Sequence, residues 1–152
     1  MSRKTLTYLA VLLLAAAAVA GCAQMKPTAR EASLYQRLGG YDAVAAVVDD
    51  FMARMAADPQ LKRFFEGADP AGLRRTRQLI VDFVCNATGG PCFYTGRSMK
   101  ATHAGMGIAE SDWKAAVGHL RATLAKFKVP AKEAGEVMAL VGSLKKDIVE
   151  SS

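Results

Sequence analysis

The chain has 152 residues, with 20 lysines and arginines against 14 aspartates and glutamates, and a mean hydropathy of +0.12. This length predicts one domain. An apolar fraction of 51% with 22% charged residues excludes a disordered chain and a low-complexity fibre. The apolar excess is concentrated at the N-terminus, so the average composition misdescribes the remainder of the chain.

The N-terminus is predicted to be an export signal. Arg3 and Lys4 precede an uncharged segment at residues 8–20, which is too short to cross the ~30 Å of bilayer hydrocarbon but suits a signal core. The segment ends in the tetrapeptide VAGC at residues 19–22. This tetrapeptide resembles a bacterial lipobox, in which the thiol of the cysteine, here Cys22, is diacylated and becomes the new N-terminus.

The lipobox resemblance implies three segments. Residues 1–21 are a signal peptide cleaved before Cys22, residues 22–32 are a tether, and residues 33–150 form the domain. Two acyl chains anchor a protein firmly to a membrane, so we expect a lipid-anchored protein on the periplasmic side of the bacterial cell envelope. By resemblance to Gram-negative lipoproteins, Ala23 favours the outer membrane over the inner one. The alternatives are an ordinary signal peptide or an uncleaved anchor, with the cysteine incidental.

The net charge of the mature chain does not indicate a particular class of binding partner. Removal of Arg3 and Lys4 lowers the formal net charge from +6 to +4, and no dense run of lysine and arginine follows. We therefore expect no nucleic-acid partner.

Helical spacing of apolar residues predicts an all-α domain, because no segment alternates between polar and apolar residues. The first apolar stripe spans residues 42–57 and ends at Asp58-Pro59. The second spans residues 70–87, with Asp69 as a candidate N-cap before Pro70. A Gly-Gly-Pro turn at residues 89–91 ends it.

Two further stripes follow a glycine-rich irregular stretch at residues 88–107. The third begins at Ser111 or Asp112 and is closed by Pro130, and a single last helix is expected to follow. The apolar positions of these two stripes are Trp113, Val117, Leu120, Leu124 and Phe127, then Val137, Leu140, Val141, Leu144 and Ile148.

An ordered set of short motifs runs through the domain. They are SLYQRLGG at 33–40, FF at 64–65, GGP at 89–91, YTGR at 94–97 and MKATHAGMGI at 99–108. In this order and spacing they resemble the group I truncated haemoglobins, from about residue 33 to residue 149. The resemblance implies a 2-on-2 helical sandwich around haem.

The resemblance implies that His103 is the proximal haem ligand. This role needs a neutral imidazole on a short helix, with its second nitrogen bonded to a carbonyl. Considered alone, His103 is more typical of an exposed loop histidine. His119 is interpreted as structural or surface. Phe65 matches the aromatic residue that packs flat on the haem, and a core phenylalanine beside Phe64 is compatible with that role.

The resemblance also implies which residues lie at the edge of the haem cavity and which residues line it. Arg97 and Lys100 are placed to meet the haem propionates, with solvated loop charge as the alternative. Tyr94 either adds a propionate hydrogen bond or packs the loop. The residues expected to line the apolar cavity are Phe83, Ile108, Ala116 and Leu120.

The distal side departs from the family pattern. Family members commonly place a tyrosine after the phenylalanine of the first long helix, whereas Met52 follows Phe51 here. Loss of a hydrogen bond worth ~1–3 kcal/mol speeds oxygen dissociation by roughly ten- to a hundredfold. The binding of nitric oxide and carbon monoxide depends less on a hydrogen-bond donor. The alternatives for Met52 are that its thioether ligates iron opposite His103 or that it only fills space.

Family members usually have a glutamine on the second long helix as the partner of the distal tyrosine. Two ways of counting place this glutamine position at different residues of this chain. Counting back from Gly89 aligns its position with Ile80, with Thr76 one turn earlier. Counting forward from Phe65 brings Gln78 into play instead, because this part of the chain is longer than in typical members.

Cys85 and Cys92 flank the Gly-Gly-Pro turn, and an oxidising compartment permits them to pair. They are predicted as disulfide partners, with two reduced thiols as the alternative. No cysteine-x-x-cysteine-histidine signature exists, so haem is expected to be non-covalent haem b.

The leading functional hypothesis is a haem globin that reversibly binds oxygen, nitric oxide or carbon monoxide. The resemblance allows nitric oxide dioxygenation as an enzyme activity, which requires oxygen to bind first and an external reductase or another electron-donor protein afterwards. Met52 weakens the first condition. The alternative is a six-coordinate His/Met haem protein for electron transfer or redox sensing. A helical interaction module that has lost haem is a third class, and His103 and Phe65 argue against it.

Overall fold

The structure, a computed structural model, describes residues 31–150. The predicted signal peptide and Cys22 lie outside these residues, and so does most of the predicted tether. The described chain from Ala32 onward belongs to one compact unit. Between residues 31 and 150 there is no strand, which confirms the predicted all-α class, and none of the helices is long and apolar enough to cross a bilayer.

Seven α-helices and one 3-10 turn make up the described fold. The elements are α1 (Leu34–Arg37), α2 (Gly40–Ala57), the 3-10 turn (Lys62–Phe64), α3 (Pro70–Ala87), α4 (Met99–His103), α5 (Glu110–Lys126), α6 (Ala131–Ser143) and α7 (Lys145–Ile148).

Side-chain caps start α1 and α3. Ser33 Oγ accepts a hydrogen bond from the Gln36 N–H at 3.3 Å, and Gln36 Oε1 accepts one from the Ser33 N–H at 3.0 Å. At α3, Asp69 Oδ1 accepts from the Gly72 N–H at 2.7 Å, and Pro70 occupies the first turn. The predicted Asp69 cap is therefore confirmed.

Two predicted boundaries are wrong. α5 begins at Glu110, because the Asp112 carboxylate reaches back to accept the Ala109 N–H at 2.9 Å and so lies inside the first turn. The expected last helix is interrupted at Leu144, whose N–H donates to the Val141 carbonyl at 3.0 Å in a tight turn. The apolar stripe continues across this interruption, which is why periodicity predicted one helix.

α2 is the centre of the fold, because it packs against α3 and also against α5. The α2–α3 cluster consists of the buried residues Val44, Ala45, Val48 and Val81. The α5–α6 cluster consists of the buried residues Leu120, Leu124 and Val137.

Polar contacts also join α2 to α5. Asp50 of α2 accepts hydrogen bonds from Arg54 at 2.6 Å and from Thr123 of α5 at 2.8 Å, and it also pairs with Lys126. Lys126 and then Arg54 hold the pKa of the Asp50 carboxyl well below its usual range. Asp50 therefore stays ionised in the folded protein and links α2 to α5.

Candidate functional site

His103 is presented by α4, the five-residue helix. Ser98 Oγ caps the helix by accepting the Ala101 N–H at 3.2 Å. His103 Nδ1 lies 2.8 Å from the Met99 carbonyl oxygen. Because a carbonyl only accepts, Nδ1 is the donor in this contact. In the neutral imidazole the free lone pair is then on Nε2, which has no hydrogen-bond partner within residues 31–150. A half-buried imidazole with this tautomer is able to ligate a metal.

The C-terminal end of the domain supports α4 from one side. α7 packs against α4, and a surface cleft that includes Lys100 and His103 runs between the two helices. The Glu150 N–H donates to the Ile108 carbonyl at 2.9 Å, and the Gly107 N–H donates to Glu150 Oε1 at 3.2 Å. The backbone on the C-terminal side of His103 is thus tied to the end of the chain.

A disulfide constrains the loop that precedes α4 in the sequence. Cys85 and Cys92 are bonded, with 5.7 Å between their Cα atoms. Gly90 is required beneath this bond, because a Cβ built there lies 2.6 Å from Cys85 Sγ. Asn86 Nδ2 donates to the Cys92 carbonyl at 3.0 Å. The segment after the turn is therefore held against the end of α3.

Tyr94 continues this loop toward α4. Its hydroxyl donates to the Arg97 carbonyl at 2.7 Å, and its ring lies edge-on to Phe83, with 5.2 Å between centroids. Tyr94 therefore packs the loop in this structure, which is one of the two roles predicted for it. Arg97 and Lys100 are exposed, and neither has a carboxylate partner in the described chain.

Phe65 follows the 3-10 turn and is half-buried. A polar network positions this turn: Asp112 accepts from Gln60 Nε2 at 2.8 Å and from Arg63 at 2.7 Å, and Arg63 also lies 4.4 Å from the centroid of the Phe64 ring. Burial raises the pKa of the Asp112 carboxyl, but hydrogen bonds from Gln60, the Ala109 N–H and Arg63 outweigh it and lower the pKa.

The role of Asp112 was missed by sequence analysis, which treated it only as a helix start. Its partners, Gln60 just before the 3-10 turn and Arg63 within it, lie about 50 residues away in sequence. His119 is structural, as predicted: its Nε2 lies 2.7 Å from Asp58 Oδ2 and links α5 to the end of α2.

Met52 of α2 and Ile80 of α3 contact the same group of buried residues. Both half-buried side chains pack against the α2–α3 cluster. Gln78 is exposed, and its Nε2 donates to the Tyr41 hydroxyl and to Asp82 Oδ1, each at 2.9 Å. Thr76 is exposed as well. Ile80 therefore packs on the α2–α3 cluster, as Met52 does, whereas Gln78 is exposed and contacts Tyr41 of α2.

The remaining predicted wall residues differ in burial. Phe51 packs against the α5–α6 cluster, and Leu120 belongs to that cluster. Ile108 is buried, whereas Phe83 and Ala116 are half-buried.

The arrangement of helices fits haem. α3 and α5 both pack on α2, but α3 makes no extensive contact with α5 or with α4. Several apolar side chains on the elements around this separation are only half-buried, namely Phe65, Phe83, Val84, Trp113 and Val117. A planar apolar group is suited to cover such side chains, and of the two histidines in the described residues, His103 is the one whose Nε2 has no hydrogen-bond partner.

Comparison with known proteins identifies the family. Residues 33–150 match the family model described as bacterial-like globin. The group 1 truncated haemoglobin of Mycolicibacterium paratuberculosis is 37% identical over 120 residues, covering 79% of this chain and 86% of that protein. The group 1 truncated haemoglobin of Chlamydomonas moewusii is 33% identical over 119 residues, covering 77% of this chain and 68% of that protein.

Solved structures agree in fold. The Fe(III) form of the Tetrahymena pyriformis truncated haemoglobin has a TM-score of 0.72 at 28% identity, covering 79% of this chain and all of that one. The cyanomet 2/2 haemoglobin of Synechococcus sp. PCC 7002, which has covalently attached haem, has a TM-score of 0.70 at 33% identity, covering 78% of this chain and 98% of that one. The chain therefore belongs to the bacterial-like globin family, among the group 1 truncated haemoglobins, and has their haem-binding 2/2 fold.

Proposed function

We propose that this protein is a haem b globin that reversibly binds a diatomic gas, with His103 as the proximal ligand. The observation that carries the proposal is the hydrogen bond from His103 Nδ1 to the Met99 carbonyl, which leaves Nε2 free. When bound, haem supplies an iron atom with a coordination position for a small ligand. The chain itself orients the imidazole and surrounds the group with apolar side chains.

Non-covalent attachment is supported by the state of the nucleophilic side chains. Cys85 and Cys92 are bonded to each other, and His119 Nε2 is occupied by Asp58. Apart from the proximal His103, no cysteine or histidine in the described part of the chain is free to bond a porphyrin. This chain therefore differs, in our proposal, from the Synechococcus relative with covalently attached haem.

Arg97 and Lys100 are proposed to pair with the haem propionates. Both are exposed next to the proximal helix, and both lack a carboxylate partner in residues 31–150. A flexible cation near the edge of the site gives a charge-assisted contact to a propionate. Because this contact is solvated, its contribution to haem affinity is small.

The ligand proposed is nitric oxide or carbon monoxide in preference to stored oxygen. Met52 and Ile80 are apolar, and both pack against the α2–α3 cluster. The polar alternatives on α3 are directed elsewhere: Gln78 bonds Tyr41 and Asp82, and Arg77 pairs with Asp49 at 2.8 Å. Bound oxygen is polarised and gains most from a donor, so an apolar distal side disfavours oxygen most. Nitric oxide detoxification by dioxygenation requires bound oxygen as well as an electron-donor protein, so the apolar distal side disfavours this activity.

The competing function is electron transfer or redox sensing through six-coordinate His103/Met52 iron. Met52 packs among the side chains of the α2–α3 cluster, which favours a space-filling role over ligation.

The ferrous spectrum of the purified protein, titrated with hemin and reduced under argon, tests these functions. We expect one haem per chain, a five-coordinate high-spin spectrum and immediate carbon monoxide binding, because no second side chain ligates the iron. A low-spin six-coordinate spectrum that M52L converts to five-coordinate supports the competing function. Absence of a Soret band after hemin addition rejects both.

We propose that the protein is anchored to the periplasmic side of the outer membrane through lipid on Cys22. The support is the VAGC sequence at residues 19–22 behind a signal-like segment. In a Gram-negative host, the wild type is expected in the outer-membrane fraction, extractable only by detergent. C22S is expected to lose the lipid mass and leave that fraction, whereas A23D keeps the lipid but moves to the inner membrane. Equal fractionation and mass of the wild type and C22S contradict the anchor.

A further inference from the structure

The position of α4 depends on its connections, because the helix is only five residues long. Isolated helices of this length are unstable in water. α4 makes no extensive contact with α3 or α5, and α7 is the described helix that packs on it most. The 11 residues from 88 to 98 that join α3 to α4 contain no helix or strand. What fixes this loop therefore helps to fix His103.

The first half of the loop is fixed covalently. Cys85 is fully buried in α3, and its bond to Cys92 brings residue 92 back to the end of that helix. The Gly90 N–H donates to the Cys85 carbonyl at 2.8 Å beneath the bond. With the disulfide in place, the unclosed part of the connection is reduced to residues 93–98.

The second half of the loop is fixed by Tyr94. Its ring packs on Phe83 of α3, and its hydroxyl donates to the Arg97 carbonyl, directly before the Ser98 cap of α4. The disulfide, Tyr94 and the Ser98 cap thus follow one another along the loop that leads to the helix whose Met99 carbonyl orients His103.

We propose that the Cys85–Cys92 disulfide, acting through Tyr94, is a positioning device for the proximal histidine, so that the thiol–disulfide state of the loop controls how firmly haem is held. This proposal rests on the proposed role of His103 as the haem ligand. In this proposal, these residues act on the histidine through the backbone of α4.

Reduction by a dithiol such as dithiothreitol removes the constraint. One reductant thiolate attacks Cys92 Sγ, the more accessible sulfur, breaks the S–S bond and releases the Cys85 thiolate, which takes up a proton. The second reductant thiol then displaces the Cys92 sulfur and closes a cyclic disulfide. Two electrons and two protons pass from the reductant to the cysteines, and the free connection lengthens to residues 88–98.

The test measures hemin transfer from the ferric holoprotein to an excess of an acceptor apoglobin, and the iron–histidine stretching frequency of the ferrous form by resonance Raman. After reduction, with both thiols verified by mass, we expect hemin transfer to be about three- to tenfold faster, because the longer free loop holds the ligand less firmly. The stretching band is expected to shift or broaden. The double variant C85A/C92A should behave like the reduced protein and no longer respond to dithiothreitol, and Y94F should show a smaller change in the same direction.

V137A is the matched control for general destabilisation, because Val137 is buried in the α5–α6 cluster and lies outside the loop. It should lower the unfolding temperature without moving the iron–histidine band. The inference is overturned if reduced wild type and C85A/C92A retain the wild-type band and hemin transfer rate, or if V137A moves the band equally. Wild type that binds no hemin contradicts the proposed function itself, so the two failures are distinguishable.

Discussion

Replacement of His103 by alanine is expected to lower hemin affinity by more than about a hundredfold. Residues that merely orient a metal ligand change affinity by about 10- to 100-fold, and loss of the ligand itself should exceed that range. Of the two histidines, both in the described part of the chain, His103 has the free Nε2, whereas His119 bonds Asp58. Hemin titration followed at the Soret band measures the loss, and far-UV circular dichroism verifies that the variant is folded.

H119A is the matched control for this variant. It removes the other histidine and its 2.7 Å contact with Asp58, so it should cost stability while retaining the wild-type haem spectrum. H103G adds a positive test, because free imidazole can enter the space vacated by the side chain and restore the spectrum. Wild-type affinity in H103A, or loss of the spectrum in H119A alone, contradicts the assignment of His103.

The helices were predictable because burial on one face imposes a repeat that is visible in a single sequence. The start of α3 was also predictable, since the Asp69 cap and Pro70 act locally. The start of α5 was not, because Asp112 has the chemistry of either a cap or a first-turn residue. The interruption at Leu144 was hidden by an apolar stripe that continues through α7.

The short helix that carries the predicted ligand was predictable because its motif is local, whereas the distal register depends on how two elements are aligned. The five-residue helix that ends at His103 follows the Ser98 cap within one short segment. The distal register was different, because counting from Phe65 and counting from Gly89 gave different partners for Met52. In the fold, Gln78 is exposed and bonds Tyr41, whereas Ile80 packs against the α2–α3 cluster as Met52 does.

The Asp112 network shows the same limit more strongly. Gln60, Arg63 and Asp112 are ordinary surface residues in sequence, yet Asp112 is only 2% exposed in the fold. Nothing local signals that an acidic side chain will be buried against donors from a distant turn. Such a network becomes visible only when the fold brings its members together.

Replacement of Met52 by tyrosine is expected to slow oxygen dissociation by about ten- to a hundredfold. Met52 and Ile80 are both half-buried against the α2–α3 cluster, and neither side chain donates a hydrogen bond. A phenolic hydroxyl at this position introduces a donor toward a polarised ligand, worth about 1–3 kcal/mol. Stopped-flow displacement of oxygen from the ferrous protein by carbon monoxide measures the rate directly.

M52F is the matched control, because it introduces the same ring without the hydroxyl. If the donor is the cause, M52F should keep an oxygen dissociation rate within about threefold of the wild type, since bulk alone adds no hydrogen bond. Carbon monoxide dissociation should change little in either variant, because that ligand is less polarised and gains less from a donor. Equal slowing of oxygen release in M52Y and M52F would mean that steric closure, and not hydrogen bonding, governs this pocket. A wild-type rate already as slow as that of M52Y would overturn the apolar distal side and, with it, the proposed preference for nitric oxide and carbon monoxide.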